Sequence, residues 1–154
     1  MHTQQKLLLE LLWWMTTIAL AFLILAPVWN ANPNYPFWTT NLLFIFLFVT
    51  ATRYTFFLHL TWLAHLRWIK VVLFFLAIPL VFFLIQEING FQVFLDEQGV
   101  DAIVGTLPLE RQASMMTYIR NELLFFGVGA VVACVALPLR LLISVWRIFN
   151  QSGI

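Results

Sequence analysis

Residues 69–87 read IKVVLFFLAIPLVFFLIQE, and no charge interrupts them between Val71 and Ile85. A helix needs about 20 mostly apolar residues to cross about 30 Å of hydrocarbon, and this stretch meets that length. Leu7–Trp29, Trp38–Leu63 and Ile119–Arg140 do the same. The pattern predicts an all-α, polytopic membrane protein with spans at about 7–29, 38–63, 69–88 and 119–141. The remaining long segment, 89–118, is then an outer connection.

Composition points the same way. Hydrophobic residues make up 62% of the chain and charged ones 10%, where soluble domains carry about 25% charged residues. Four spans and their connections use up nearly all of the 154 residues, which predicts a single domain over 1–154. Cys134 is the only cysteine, so neither an intrachain disulfide nor a cysteine-based metal site is expected. Lys6 and the triplet Ala19-Leu20-Ala21 imitate a secretory signal. The apolar run continues past the triplet to Trp29, however, and signal cores are only about 7 to 15 residues, so it reads as a retained first helix.

Orientation follows from the basic residues. Lys6, Arg67, Lys70, Arg140 and Arg147 all fall on one side of a four-span arrangement. Residues 30–37 are uncharged, and 89–118 hold Asp96, Glu97, Asp101 and Glu110 against Arg111 alone. Basic residues mark the cytoplasmic side, which predicts both termini inside a plasma or bacterial inner membrane. Trp29, Tyr35 and Trp38 are expected at the outer headgroup level, and Trp13, Trp14, Trp62, Trp68 and Trp146 at the inner one. Pro79 and Pro138 lie within spans and are expected to bend them.

The 89–118 connection is the least membrane-like part. Asn89-Gly90 is expected to end the third helix, with Phe91–Gly99 forming a short amphipathic segment on the outer surface. Thr106, Pro108 and Glu110 then look like a cap, first turn and acidic start of the last helix. Helix from Pro108 to about Phe149 would be roughly 60 Å long, so its first turns should extend beyond the outer membrane surface. Leu109, Met116 and Ile119 would there cover the neighbouring connection.

Ionisable groups inside a span are costly and mark candidate sites. Arg53 lies deep in the second span, with Glu10 of the first span as its expected partner on the same half. His59 and Arg140 complete a candidate intramembrane polar network with them. His59 lacks a second intramembrane histidine to share a haem, so no cofactor or metal is expected. Glu87 and Glu122 form an outer acidic set, satisfied by solvent and by Arg120. Gly129, Ala133 and Ala136 lie four and three residues apart, a stripe of small residues that favours close helix packing in lipid.

The sequence shows no nucleophile–base set and no convergent carboxylates or histidines, which argues against an enzyme. Nucleic acid is not expected among its partners. The expected role is an accessory, assembly or scaffold subunit, with lipid and other membrane subunits or further copies of itself as partners. The rival is a small transporter or channel that uses Arg53, His59 and Glu10 along a polar path.

Overall fold

The computed structural model describes residues 3–61 and 66–151. The side chains at 3, 4, 6, 59, 67, 148, 149 and 151 lie outside that description. Five α-helices follow in order: α1 (Thr3–Ala31), α2 (Trp38–Phe57), α3 (Arg67–Gln98), α4 (Asp101–Val104) and α5 (Leu109–Gln151). A 3-10 turn, Leu58–Leu60, follows α2. All but α4 are long and apolar enough to cross a membrane, and they point to a multi-pass membrane protein. The connections at 32–37 and 99–108 share one end of the bundle, where the Asn32 amide donates to the Ile103 carbonyl at 2.9 Å. We call this the distal end, and the opposite end, where α1 begins and α5 finishes, the proximal end.

α5 packs along both α2 and α3, whereas α1 meets α2 over a shorter seam. The main core joins Phe44 and Ala51 of α2, Leu84 and Phe91 of α3, and Ile119, Leu123, Ala130 and Cys134 of α5. Val28, Ile103 and Val104 close it at the distal end. A smaller cluster of Ala21, Leu25 and Ile45 holds α1 to α2. Thr17 is buried on that helix, and its hydroxyl donates to the carbonyl of Trp13 at 2.9 Å, so burial leaves no polar orphan.

The second helix is shorter than its apolar run. It stops at Phe57, and Thr61 turns to extended backbone, with its N–H and its hydroxyl both donating to the Leu58 carbonyl. His59 therefore belongs to the 3-10 turn rather than to the middle of a span, and its side chain lies outside the described residues.

The third helix departs from expectation in the opposite sense. Asn89-Gly90 does not end it, and Phe91 to Gln98 continue as helix rather than as a separate surface segment. Glycine inside a helix costs about 1 kcal/mol. Burial of Phe91 offsets that cost, since its ring and that of Phe94 each meet Phe37 edge-on at 5.1 Å. The actual stop is Gly99, whose φ of 77° suits a residue without Cβ and whose N–H closes on the Leu95 carbonyl.

The start of α5 also differs in detail. Thr106 does not cap it; its hydroxyl is directed to the Ala31 carbonyl at 3.4 Å, which ties the long connection to the end of α1. Leu109 is 85% exposed and covers nothing, while Met116 and Ile119 are buried in the core. Pro27, Pro79 and Pro138 are all accommodated inside helices.

Candidate functional site

Polar side chains gather at two levels of the bundle. At the proximal level, the Arg53 guanidinium of α2 donates to the Glu10 carboxylate of α1 at 2.7 Å. It sits 5.1 Å from the Trp13 ring centroid and 5.8 Å from that of Tyr54, which adds cation–π attraction on two sides. Arg53 is 6% exposed. An arginine so buried is tolerable only because carboxylate and aromatic faces replace its water.

Arg140 does not join this pair. Its Nε donates to the Thr55 carbonyl at 3.2 Å. Thr55 lies in the last turn of α2, where carbonyls lack helical partners and favour a cation. Lys70, read from sequence as an inner-surface residue, is buried instead, and its ammonium donates to Ser144 at 3.0 Å.

At the distal level, the hydroxyl of Thr40 donates to Glu87 at 2.7 Å, and the Asn41 amide donates to Glu122 Oε2 at 3.0 Å. Glu122 is 8% exposed, so solvent does not satisfy it. Nor does Arg120, which is exposed and forms no ion pair with it among the described residues. Tyr35, expected at the headgroup level, is 2% exposed and packed beside this pair. Burial, and then the Glu122 carboxylate, push its hydroxyl well above the usual phenol range, so it stays protonated. Tyr35 Oη, Asn41 Oδ1 and Glu122 Oε1 are buried without partners.

Two grooves open beside these levels. One of about 670 Å³ runs past Glu122, Tyr118, Asn121, Thr117 and Ile24. Tyr118 bridges it, with its hydroxyl donating to the Ile24 carbonyl of α1 at 2.7 Å. The other, of about 550 Å³, lies between α1 and α2 and is lined by Phe22, Leu25, Ala26, Trp29, Trp38 and Phe46.

The small-residue stripe falls partly on the helix contact, with Ala133 in the main core and Gly129 against Phe48 of α2. The buried ridge of α5 runs through Leu123, Gly127, Ala130, Cys134 and Leu141, with Ala133 beside it and Ala136 only half-buried. Gly127 sits between two helices, where a Cβ would lie 2.8 Å from the Phe44 ring of α2 and 3.0 Å from Ile88 of α3. Gly129 faces the flank, where the ring of Phe48 lies 2.8 Å from the equivalent point. Asn41, Tyr35 and Gly127 were absent from the sequence-based candidates. An asparagine inside an otherwise apolar span was the one signal that could have found the distal cluster.

Searches against protein-family models, curated proteins and solved structures found no match for this chain.

Proposed function

We propose that this protein is an accessory, assembly or scaffold subunit of a membrane complex, and that it is not an enzyme. In this reading it lies in a plasma or bacterial inner membrane with both termini cytoplasmic. The distal end then faces outward. α5 has 43 residues and is about 65 Å long, so its distal turns stand beyond about 30 Å of hydrocarbon.

The groove between α1 and α2 is the observation that carries the reading. Helix association in lipid depends on close packing rather than on a hydrophobic gain. A concave apolar seam with Trp29 and Trp38 packed together at 5.3 Å at its distal rim offers a partner helix that packing. Transport is the weaker alternative, because Arg53 and Glu10 are closed on each other. The apolar layer of Phe44, Ala51, Leu84 and Ala130 also lies between the two polar levels.

Ala26→Trp tests this. Ala26 is exposed at the groove, so a tryptophan fills the seam without entering the core. Purification in mild detergent should recover a stoichiometric membrane partner with the wild-type chain and lose it with the variant, while thermal stability stays the same. Retention of the partner by the variant contradicts the reading. So does a lone wild-type oligomer that moves ions in liposomes.

A further inference from the structure

No aspartate or glutamate occurs in 11–86 or in 123–154, which leaves Glu10 as the acidic side chain of the proximal level, and Arg53 occupies it. Arg140 is left without a carboxylate. Its Nε donates to the Thr55 carbonyl, and its two terminal nitrogens have no partner among the described residues. Ser144 lies one turn further along the same face of α5 and accepts from the Lys70 ammonium, which brings a second positive charge close to Arg140. Arg147, exposed, continues that face three residues beyond Ser144.

We propose that Arg140, supported by the charges of Lys70 and Arg147, is a docking site for the phosphate of an anionic phospholipid in the leaflet at the proximal end. A guanidinium fork offers phosphate oxygens two parallel hydrogen bonds. Clusters of basic residues beside transmembrane helices attract anionic headgroups in the same way. The bond from Nε to the Thr55 carbonyl holds the guanidinium in place and leaves its terminal nitrogens for the ligand.

Depth suits a headgroup. At 1.5 Å per residue, Thr55 stands about 26 Å along α2 from Trp38. About 30 Å of hydrocarbon separates the two headgroup layers, so with Trp38 at the distal layer Arg140 lies near the proximal one. Leu139, Val135 and Val132 are exposed on α5 on the distal side of Arg140, and they give the acyl chains an apolar track. That surface makes an acidic segment of a partner protein the poorer fit. Arg53 offers no such site, because it is buried and closed on Glu10.

Native mass spectrometry of the full-length chain, delipidated in a nonionic detergent, reads the site with phosphatidylglycerol and phosphatidylcholine as probes. The wild type should retain phosphatidylglycerol over phosphatidylcholine, and Arg140→Gln should lower the affinity for phosphatidylglycerol about fivefold while leaving phosphatidylcholine unchanged. Arg111→Gln, which removes the same charge from an exposed distal position, should behave as the wild type. Equal retention of the two lipids by the wild type, or an undiminished preference in Arg140→Gln, overturns the proposal. Should Arg140→Gln fail to fold, Arg140→Lys keeps the charge without the fork and should bind phosphatidylglycerol more weakly than the wild type; equal binding counts against the site.

Thermal unfolding gives an independent reading, since a ligand that binds the native state raises its melting temperature. Phosphatidylglycerol should raise that of the wild type more than phosphatidylcholine does, and Arg140→Gln should lose the difference. An equal rise from inorganic phosphate alone contradicts a lipid site, because phosphate has no acyl chains to lay along Leu139, Val135 and Val132. Loss of a copurifying membrane protein from Arg140→Gln, with its lipid preference intact, would make Arg140 a protein contact and overturn the proposal. Lipid binding in detergent requires neither the orientation nor the partner helix proposed above, so its failure leaves that reading standing.

Discussion

Arg53→Ala should destabilise the fold by about 3–5 kcal/mol, because it leaves the Glu10 carboxylate half-buried in the bundle without the guanidinium that pairs with it. Part of the loss is packing, since the guanidinium also lies against Trp13 and Tyr54. Glu10→Ala alone should cost a comparable amount by stranding a more deeply buried cation. The double substitution should cost less than the two single effects summed, as expected for groups in direct contact. Urea or thermal unfolding in detergent checks this, and simple additivity would mean that the pair contributes nothing as a pair.

Gly127→Leu should be nearly as damaging. Even the Cβ of the new side chain would stand 2.8 Å from Phe44 and 3.0 Å from Ile88, on helices to either side, and both would have to move. Overpacking a well-filled core costs typically about 1–3 kcal/mol, and a leucine exceeds a single added methyl by far. Gly129→Leu should cost less, because its obstacle is the single ring of Phe48 on the flank. Val132→Leu is the neutral control, since Val132 is 62% exposed; Val131 would not serve, because it packs on the core. A melting temperature for Gly127→Leu equal to that of the control would contradict the packing described.

Four apolar runs of sufficient length identify the helices, because backbone groups in hydrocarbon must be satisfied within each segment. Arg53 and Glu10 are legible as partners because both are costly and lie at similar depth. Helix ends are less legible: Gly90 looks like a stop, yet the burial of Phe91 against Phe37 carries α3 onward to Gly99. Which face of a span packs is the least legible feature. Exposed residues such as Phe22, Phe82 and Leu139 are as apolar as the core residues Phe44 and Leu84, so the helical period that marks a soluble core is erased. The small-residue stripe Gly129, Ala133 and Ala136 accordingly includes the buried Ala133 and the close approach of Gly129 to Phe48, but it misses Gly127, which approaches Phe44 just as closely. The distal cluster was hidden for a related reason: Tyr35 resembles an interfacial aromatic until Phe37 and Trp38 are seen packed around it.

In the orientation we propose, the four helices span a bilayer with the start of α1 and the end of α5 on the cytoplasmic side. Single cysteines at Val100, exposed at the distal end, and at Asn150, exposed near the C-terminus, test it most directly in intact cells with a membrane-impermeant thiol reagent. Cys134 is buried and serves as the internal background. Val100→Cys should label in intact cells, and Asn150→Cys only after the membrane is permeabilised. Labelling of Asn150→Cys in intact cells with Val100→Cys silent would contradict the orientation, and labelling of both would contradict the four-span arrangement itself.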